Sequence, residues 1–377
     1  MIYLDNASTT RIRPEARDAM ASAPFANPSS IHAAGRAARK AVEDAREAIA
    51  DLYGGDPKGI TFTSGATEAD NLAIFGVADA LRFRGNRIIV SAVEHPAVLE
   101  AAEALGKRGF EIVPAPVDHD GRVDVAALER QVTPATILIS VMAANNEVGT
   151  IQPVDEIADL CRDRKILFHC DAAQAAGKIP FRFSTDLATI SSHKMHGPRG
   201  AGALYVKPGT PIASRQVGGG QEFERRAGTE AVDSIVGFAA AARSMASDLP
   251  ETSARVERLR ARLESGLRSA SPMKVQGHPE RRLPHILSVA FEGCDGEAVV
   301  IALDAQGLCV SSGSACASQS MVPSHVLRAM GRSPEETRST VRFSLGWDTT
   351  EADVDAAIRM VPPVIARLRA IAPAGRP

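Results

Sequence analysis

Residues 166–206 read ILFHCDAAQAAGKIPFRFSTDLATISSHKMHGPRGAGALYV, and three short apolar runs within them predict strands. These runs are Ile166–Cys170, Leu187–Ser191 and Gly202–Val206. Similar runs lie upstream, at Ile60–Thr63, Arg87–Ser91, Glu111–Pro114 and Thr136–Ala143. Helical patterns lie between several of them, at Ala66–Phe83, Ala97–Gly109 and Val154–Arg164. This alternation predicts an α/β fold in which a mostly parallel seven-stranded sheet lies between helices.

The pattern changes near residue 250. A charged helical pattern from Ser253 to about Ser269 is followed by strand-like runs at Ile286–Phe291 and Val341–Leu345. We therefore predict a large domain over residues 15–250 and a smaller α+β domain over residues 251–377. Residues 1–14 are too few to fold alone, and we assign them to the smaller domain.

Composition narrows the class of protein. The chain has 377 residues, 45% of them hydrophobic, and its 43 Lys and Arg against 45 Asp and Glu give a net charge of −2. These values exclude a disordered chain. The chain also lacks the excess of positive charge that would indicate binding to nucleic acid or an anionic membrane. No apolar run reaches the roughly 18–20 residues of a membrane span, and the first residues do not resemble a signal peptide. Five dispersed cysteines, an odd number, favour a reducing compartment, and we expect the cytoplasm.

Three segments at predicted strand ends carry chemically useful groups. Ala66 and Thr67 open a helix directly after a strand, so their amides and a hydroxyl form an anion site. Asp171 and Lys194 each follow a buried strand. An ordinary helix cap, a capping aspartate and a solvated lysine are the alternative interpretations of the three segments. Together they offer a phosphate site, an acid for a ring nitrogen and a lysine for a Schiff base, as a pyridoxal-phosphate enzyme requires.

A metal site is a weaker interpretation of part of this region. His193 and His196 lie three residues apart in a turn, without an obvious third ligand in the sequence. The sequence therefore favours a cofactor site without a metal ion.

Motifs along nearly the whole chain carry a family resemblance. In order they are YLDN, TSGATEADN, EHPAV, NNEVGTIQP, CDAAQ, SSHKMHGPRGAGAL, GGGQE, RAGTE, SSGSAC and VRFSLG. The sequence resembles the cysteine desulfurases of the NifS/IscS type, within the class V aminotransferase group of fold-type I pyridoxal-phosphate enzymes. The resemblance implies a homodimer that takes sulfur from L-cysteine, leaves L-alanine and passes the sulfur to an acceptor such as an iron–sulfur cluster scaffold.

The resemblance also implies roles for matching residues. Lys194 would hold pyridoxal phosphate covalently, His95 would stack on its ring and carry protons, and Cys316 would be the nucleophile that carries the persulfide. Asn145 and Arg342 would hold the substrate carboxylate. The cofactor contacts that it implies are Ala66, Thr67, His95, Asn145, Asp171, Gln174, Ser191, His193, Lys194 and, from the partner subunit, Thr229.

Alternatives remain for individual residues. His95 precedes Pro96 and would, without the resemblance, be interpreted as a helix-start histidine. Arg342 lies in an alternating strand pattern and has a surface arginine on an edge strand as its alternative. Cys316 lies in a run of small polar residues, which predicts an exposed loop. The other cysteines are expected to be structural: Cys161, Cys170 and Cys309 as buried residues and Cys294 in a turn.

Other functions are consistent with parts of the pattern. A selenocysteine lyase or a class V aminotransferase would use the same cofactor, but transamination alone leaves Cys316 unexplained. A non-enzymatic scaffold would not need the catalytic set. Two residues depart from the family pattern: Phe223 replaces a common Arg, and Ser192 replaces a usual Gly. The sequence ends about 30 residues after VRFSLG, which leaves the acceptor open.

Overall fold

A computed structural model describes residues 1–312 and 323–371. The helices in these ranges are α1 (Pro14–Ala21), α2 (Ala33–Tyr53), α3 (Ala66–Leu81), α4 (Pro96–Gly106), α5 (Val125–Gln131), α6 (Val154–Arg164), α7 (Val232–Ala270), α8 (Gly296–Asp304), α9 (His325–Ala329), α10 (Pro334–Arg338) and α11 (Glu351–Ile371). The strands are β1 (Ile2–Tyr3), β2 (Ile60–Thr63), β3 (Arg87–Ser91), β4 (Glu111–Ala115), β5 (Thr136–Ser140), β6 (Leu167–Asp171), β7 (Leu187–Ser191), β8 (Gly202–Val206), β9 (Lys274–Val275), β10 (Ile286–Ala290), β11 (Leu308–Cys309) and β12 (Thr340–Ser344). None of the described helices is long and apolar enough to cross a membrane.

Seven strands form the central sheet in the order β2-β8-β7-β6-β5-β3-β4. Strand β8 is antiparallel to both neighbours, and the other neighbouring strands are parallel. One hydrophobic cluster joins the sheet to α3 and α4, and another joins it to α2, α6 and α7. Helices therefore cover the sheet on two sides, and the predicted α/β class is confirmed.

The sheet direction brings the predicted site segments to one edge. Strands β6 and β7 are parallel neighbours, so Asp171 and Ser191 end at the same side. Strand β2 is related to β7 through two antiparallel pairings, so Thr63 ends there too. Ligands of such sheets bind beyond the carboxyl ends of the strands. We therefore expect the functional site at this edge of the sheet.

A second sheet, β12-β10-β9, is antiparallel and has its own core. That core contains Leu4, Leu263 and Phe343. The predicted helix start at Ser253 is wrong, because α7 continues through Pro250 from Val232 to Ala270. Burial on either side of the proline holds the helix despite one missing amide donor. The division into two domains at residue 250 stays a prediction.

Candidate active site

The floor of the site is built at the ends of β6 and β7. Asp171 closes β6, is buried, and accepts a hydrogen bond on Oδ1 from the Ala173 amide at 2.9 Å. Lys194 lies in the turn after β7, and its Nζ donates to the carbonyls of Ala7 and Ser8 at 2.6 and 2.7 Å. Gln174 Nε2 donates to the same Ala7 carbonyl at 2.9 Å. The N-terminal segment thus meets the strand ends inside the site.

Burial sets the ionisation of the groups on this floor. It raises the pKa of Asp171, while the Ala173 amide and the charges of His95 and Lys194 act in the opposite direction. Burial also lowers the pKa of His95, a shift that the Asp171 charge opposes and Lys194 reinforces. His95 is the N-cap of α4, and its Nδ1 accepts the Ala97 amide at 3.1 Å. The helix-start interpretation of His95 is therefore correct. Its imidazole is also neutral, and the charges of Asp171 and Lys194 both affect its pKa.

A site for an anion lies next to this floor. Helix α3 begins after Gly65, and its first turn contains the amides of Ala66 and Thr67. Because no side chain caps this helix end, its amides can bind an anion. A Cβ added at Gly65 would meet no atom within 4 Å, so the space beside this helix end is open. Ser191 Oγ is buried without a hydrogen-bond partner among the described residues. A phosphate group fits these donors and this space.

Two residues that follow Ser191 complete this corner. His193 contacts Thr9 Oγ1 through Nδ1 at 3.2 Å, and burial lowers the pKa of His193 to about 4. Its imidazole is therefore neutral, and the contact of His193 with a phosphate stays a prediction. Ser192, the departure from the family pattern, is fully buried, and its Oγ also lacks a partner in the described part of the chain.

The side of the site that is predicted to bind substrate, called the substrate side below, is formed by β12 and the segment after β5. Arg342 is buried and donates from Nη1 to the Asn146 carbonyl at 2.7 Å. Its Nη2 donates to Asp5 Oδ1 and Ser8 Oγ, both at 2.9 Å. The alternative of a surface arginine is therefore wrong. A buried guanidinium that shares Ser8 as a hydrogen-bond partner with Lys194 is suited to holding a carboxylate.

Residues 2–357 match the family model described as Aminotransferase class-V. The chain belongs to this family. It is 42% identical to "Cysteine desulfurase IscS" of Proteus mirabilis (strain HI4320), over 99% of this chain and 94% of that protein. It is also 42% identical to "Cysteine desulfurase IscS" of Methanosarcina thermophila, with the same coverage.

Solved structures agree with this assignment. A "NIFS-LIKE PROTEIN" aligns with a TM-score of 0.92 and 37% identity, over 97% of this chain and 100% of that chain. DndA from Streptomyces lividans aligns with a TM-score of 0.78 and 39% identity, over 91% of this chain and 99% of that chain. The predicted membership of the NifS/IscS type within the class-V aminotransferase family is confirmed, and with it the predicted cofactor, pyridoxal phosphate.

In this class-V chain the side chain of Asn145 serves the local backbone. Its Oδ1 accepts the amides of Glu147 and Val148 at 2.8 and 2.9 Å, and its Nδ2 donates to the Val93 carbonyl at 3.0 Å. These bonds shape the turn that offers the Asn146 carbonyl to Arg342. A direct contact of Asn145 with cofactor or substrate stays a prediction.

The predicted nucleophile, Cys316, lies outside the described residues. The residues that flank this stretch are anchored at the site. Ser311 and Arg342 exchange backbone hydrogen bonds at 3.1 and 2.7 Å. Ser324 Oγ donates to Glu147 Oε2 at 2.6 Å, and His325 Nε2 lies 2.8 Å from the Glu94 carbonyl. Both flanks therefore lie on the substrate side.

The other cysteines divide into two classes. Cys161 and Cys170 are buried as predicted, and burial raises the pKa of the Cys161 thiol to about 12 and also raises that of Cys170. The prediction that Cys309 is buried is wrong, because it is only partly covered. Strand β11 has two residues, and Leu308 points into the core, so its neighbour points outward. Cys294 is also partly covered.

Thr229 is exposed, and among the described residues no hydrogen bond joins it to Lys194 or Asp171. It follows a strained stretch in which Glu222, Phe223 and Glu224 have φ values of 48°, 57° and 62°. The Glu222 carboxylate pairs with buried Arg46 through two hydrogen bonds of 2.8 Å. This ion pair holds the backbone of the stretch against the rest of the chain.

Sequence reasoning missed several residues of the site. Asp5 and Ser8 contact Arg342. Asp5 belongs to the motif YLDN, to which no role was given, and Ser8 lies two residues after that motif. Glu94 is fully buried and accepts the Ser91 hydroxyl and the Met142 amide on Oε1, each at 2.6 Å. Burial raises the pKa of Glu94 to about 8. Its position directly before His95 is the one feature of the sequence that indicates a place near the site.

Sequence reasoning also missed His169 and Asp70, which lie near Asp171. His169 is two residues earlier on β6, so both side chains point to the same face of the sheet. His169 is 3.5 Å from Asp70 Oδ1 and contacts Ser140 and Thr189 at 2.9 and 3.1 Å. Burial lowers the pKa of His169 to about 3, so this ring is a neutral support for the strand end.

Proposed function

We propose that this protein is a pyridoxal-phosphate-dependent cysteine desulfurase that converts L-cysteine to L-alanine and transfers the sulfur. The observation that carries this function is the meeting of Lys194 and Arg342 at one residue. Lys194 donates to the Ser8 carbonyl, and Arg342 donates to the Ser8 hydroxyl. A cofactor-holding lysine and a carboxylate-binding guanidinium thus lie on two sides of one small space. The names of the relatives support the same activity.

Pyridoxal phosphate supplies an electron sink for bonds at the substrate α-carbon. The residues that hold it divide by the part of the cofactor that they serve. The phosphate is held by Ala66, Thr67, Ser191 and His193, with Thr229 from the partner subunit. Asp171 pairs with the ring nitrogen, Gln174 with the ring oxygen, and Lys194 forms the covalent bond.

His95 and Lys194 move protons in this proposal. Because His95 Nδ1 accepts the Ala97 amide, the neutral ring carries its proton on Nε2. In this neutral form His95 donates a hydrogen bond from Nε2, and it passes a proton on only as it receives another, because loss of its one N–H would leave an imidazolate. The Lys194 amine is the complementary base, since it lies on the floor beside the site for the substrate.

Cys316 carries the sulfur chemistry. Its thiolate attacks the sulfur of the bound cysteine and forms the sulfur–sulfur bond of a persulfide. The carbon–sulfur bond breaks, and its electron pair stays with carbon, which gains a proton to become alanine. An acceptor such as an iron–sulfur cluster scaffold then takes the outer sulfur. Because the nucleophile must be a free thiol and thiols stay reduced in the cytoplasm, we place the enzyme there.

Product analysis tests the proposed activity. The protein loaded with pyridoxal phosphate and given L-cysteine with a thiol reductant should release sulfide and alanine in equal amounts. Amino transfer that depends on a keto acid and releases no sulfide would contradict the proposal. Turnover of selenocysteine with none of cysteine would contradict it as well.

The homodimer has its own test. In it Thr229 completes the phosphate site of the partner, and its exposure leaves it available for that contact. Lys194→Ala and Thr229→Ala chains, each impaired alone, should form heterodimers with one restored site after subunit exchange. Activity that stays at the level of the separate variants, with exchange demonstrated by mass, would contradict a shared site.

A further inference from the structure

The segment Asp5–Ser8 presents a carboxylate and a hydroxyl to the substrate-binding arginine. Its backbone is fixed to β12, because the Asn6 amide donates to the Ser344 carbonyl at 3.1 Å and the Ala7 amide donates to Ser344 Oγ at 2.9 Å. The Asp5 carboxylate and the Ser8 hydroxyl reach Arg342 from the two ends of this segment. An internal carboxylate therefore sits where a substrate carboxylate is expected.

The hydrogen bonds of Arg342 show that this carboxylate must give way. Nη2 has two N–H groups, and they donate to Asp5 Oδ1 and Ser8 Oγ, both at 2.9 Å. Nη1 donates to Asn146 O, and Nε has no hydrogen-bond partner in residues 1–312 and 323–371. A carboxylate held by two bonds pairs either with Nη1 and Nη2 or with Nε and Nη2. Both arrangements need Nη2, so binding displaces one of its two acceptors.

Charge decides which acceptor leaves. The Arg342 side chain is only 3% exposed, so two carboxylates on this one cation would leave an uncompensated buried negative charge. Exchange of one carboxylate for another keeps the pair neutral. The Asp5 side chain is 19% exposed and can turn toward water. Ser8 Oγ, which donates to Asp5 Oδ1 at 2.9 Å, can redirect that proton to the incoming carboxylate.

We propose that Asp5 is an internal competitor of the substrate: its carboxylate occupies Arg342 until the α-carboxylate of an amino acid displaces it. This inference rests on the proposed function of Arg342. Asp5 weakens the binding of every α-amino acid, including the product alanine, and so favours product release. Ser8 is the residue that transfers its hydrogen bond from the internal to the external carboxylate.

The binding of L-alanine tests this proposal without turnover. Enzyme loaded with pyridoxal phosphate is titrated with L-alanine, and the Kd is read from the change in cofactor absorbance. Asp5→Asn keeps the shape and removes the charge, so the Kd should fall about fivefold. Asp5→Glu restores the charge and should return the Kd toward the wild-type value. Asp5→Ser, a smaller replacement, should lower the Kd as Asn does.

A matched variant controls for the loss of one negative charge. Asp355 pairs with Arg262 through two hydrogen bonds of 2.8 Å in an exposed position, and Asp355→Asn should leave the Kd unchanged. An unchanged or higher Kd in both Asp5→Asn and Asp5→Ser would overturn the proposal and make Asp5 an orienting residue. Sulfide release from L-cysteine is measured separately. If wild-type enzyme binds alanine but releases no sulfide, the proposed function fails while the Kd comparison still tests Asp5.

Discussion

The two sides of the active site are assembled in different ways. The cofactor floor, Asp171, Gln174 and Lys194, comes from the ends of two neighbouring parallel strands, β6 and β7. The substrate side joins Ser8 to Arg342 across 334 positions of sequence. The floor residues lie close together in sequence, on and just after two neighbouring strands. The residues of the substrate side are far apart in sequence and meet only when the second sheet packs against the first. Variants of the two sides should therefore fail differently.

The largest effect is expected on the floor. Lys194→Ala removes the amine that bonds to pyridoxal phosphate, so the enzyme should lose its characteristic absorbance and its turnover should fall by at least about 1,000-fold. Lys207→Ala is the matched control, since Lys207 also follows a strand but is exposed, and it should behave as wild type. Normal turnover in Lys194→Ala would contradict the floor assignment.

The substrate side should fail in binding and leave the cofactor in place. Arg342→Lys keeps a positive charge but loses the planar pair of donors, so kcat/KM for L-cysteine should fall about 10–100-fold, mostly through KM. The cofactor absorbance should persist. Arg369→Lys changes a partly exposed arginine far along α11 that donates to two backbone carbonyls, and its kinetics should match wild type. A change below about twofold in Arg342→Lys would mean that this guanidinium does not hold the substrate.

A smaller effect is expected at Glu94, whose buried carboxyl accepts the Ser91 hydroxyl and the Met142 amide. Its carboxyl ionises near 4.5 when unfolded, and burial raises its pKa to about 8 in the fold. Protonated Glu94 contributes fully to the free energy of unfolding below a pH of about 4.5. This contribution falls as the pH rises and is lost by a pH of about 8. Glu94→Gln removes this loss, so at pH 9 the variant should be more stable than wild type by about 1–3 kcal/mol.

Denaturant unfolding at pH 5 and pH 9 measures this difference. At pH 5 the two proteins should differ little, since most of the loss lies above that pH. Glu103→Gln replaces an exposed carboxylate and should show no such gain at pH 9. A Glu94→Gln difference that is the same at both pH values would show that Glu94 is ionised in the fold.

The same contrast explains what the sequence could predict. Strands β2, β3, β7 and β8 have the predicted bounds, because each is an apolar run that ends in a polar residue or a turn. Asp171 and Lys194 could be found because they terminate such runs. The pairing of Asp5 with Arg342 could not, because no local pattern records a contact between the two ends of a chain.

The wrong predictions have local causes. Cys309 belongs to a two-residue strand, which is too short for an alternation of buried and exposed positions to be read. The helix predicted from Ser253 begins just after Pro250, a residue type that commonly ends helices, whereas in the structure α7 continues through this proline. In both cases tertiary contacts decide what the local pattern leaves open.

The most direct test of the central claim is the location of the transferred sulfur. Wild-type enzyme is incubated with L-cysteine without reductant, trapped with an alkylating reagent, digested and analysed by mass spectrometry. One additional sulfur should appear on the peptide that contains Cys316, and Cys316→Ser should lack it and release no sulfide while its cofactor absorbance still responds to cysteine. The additional sulfur on Cys294 or Cys309, or full sulfide release by Cys316→Ser, would contradict the account.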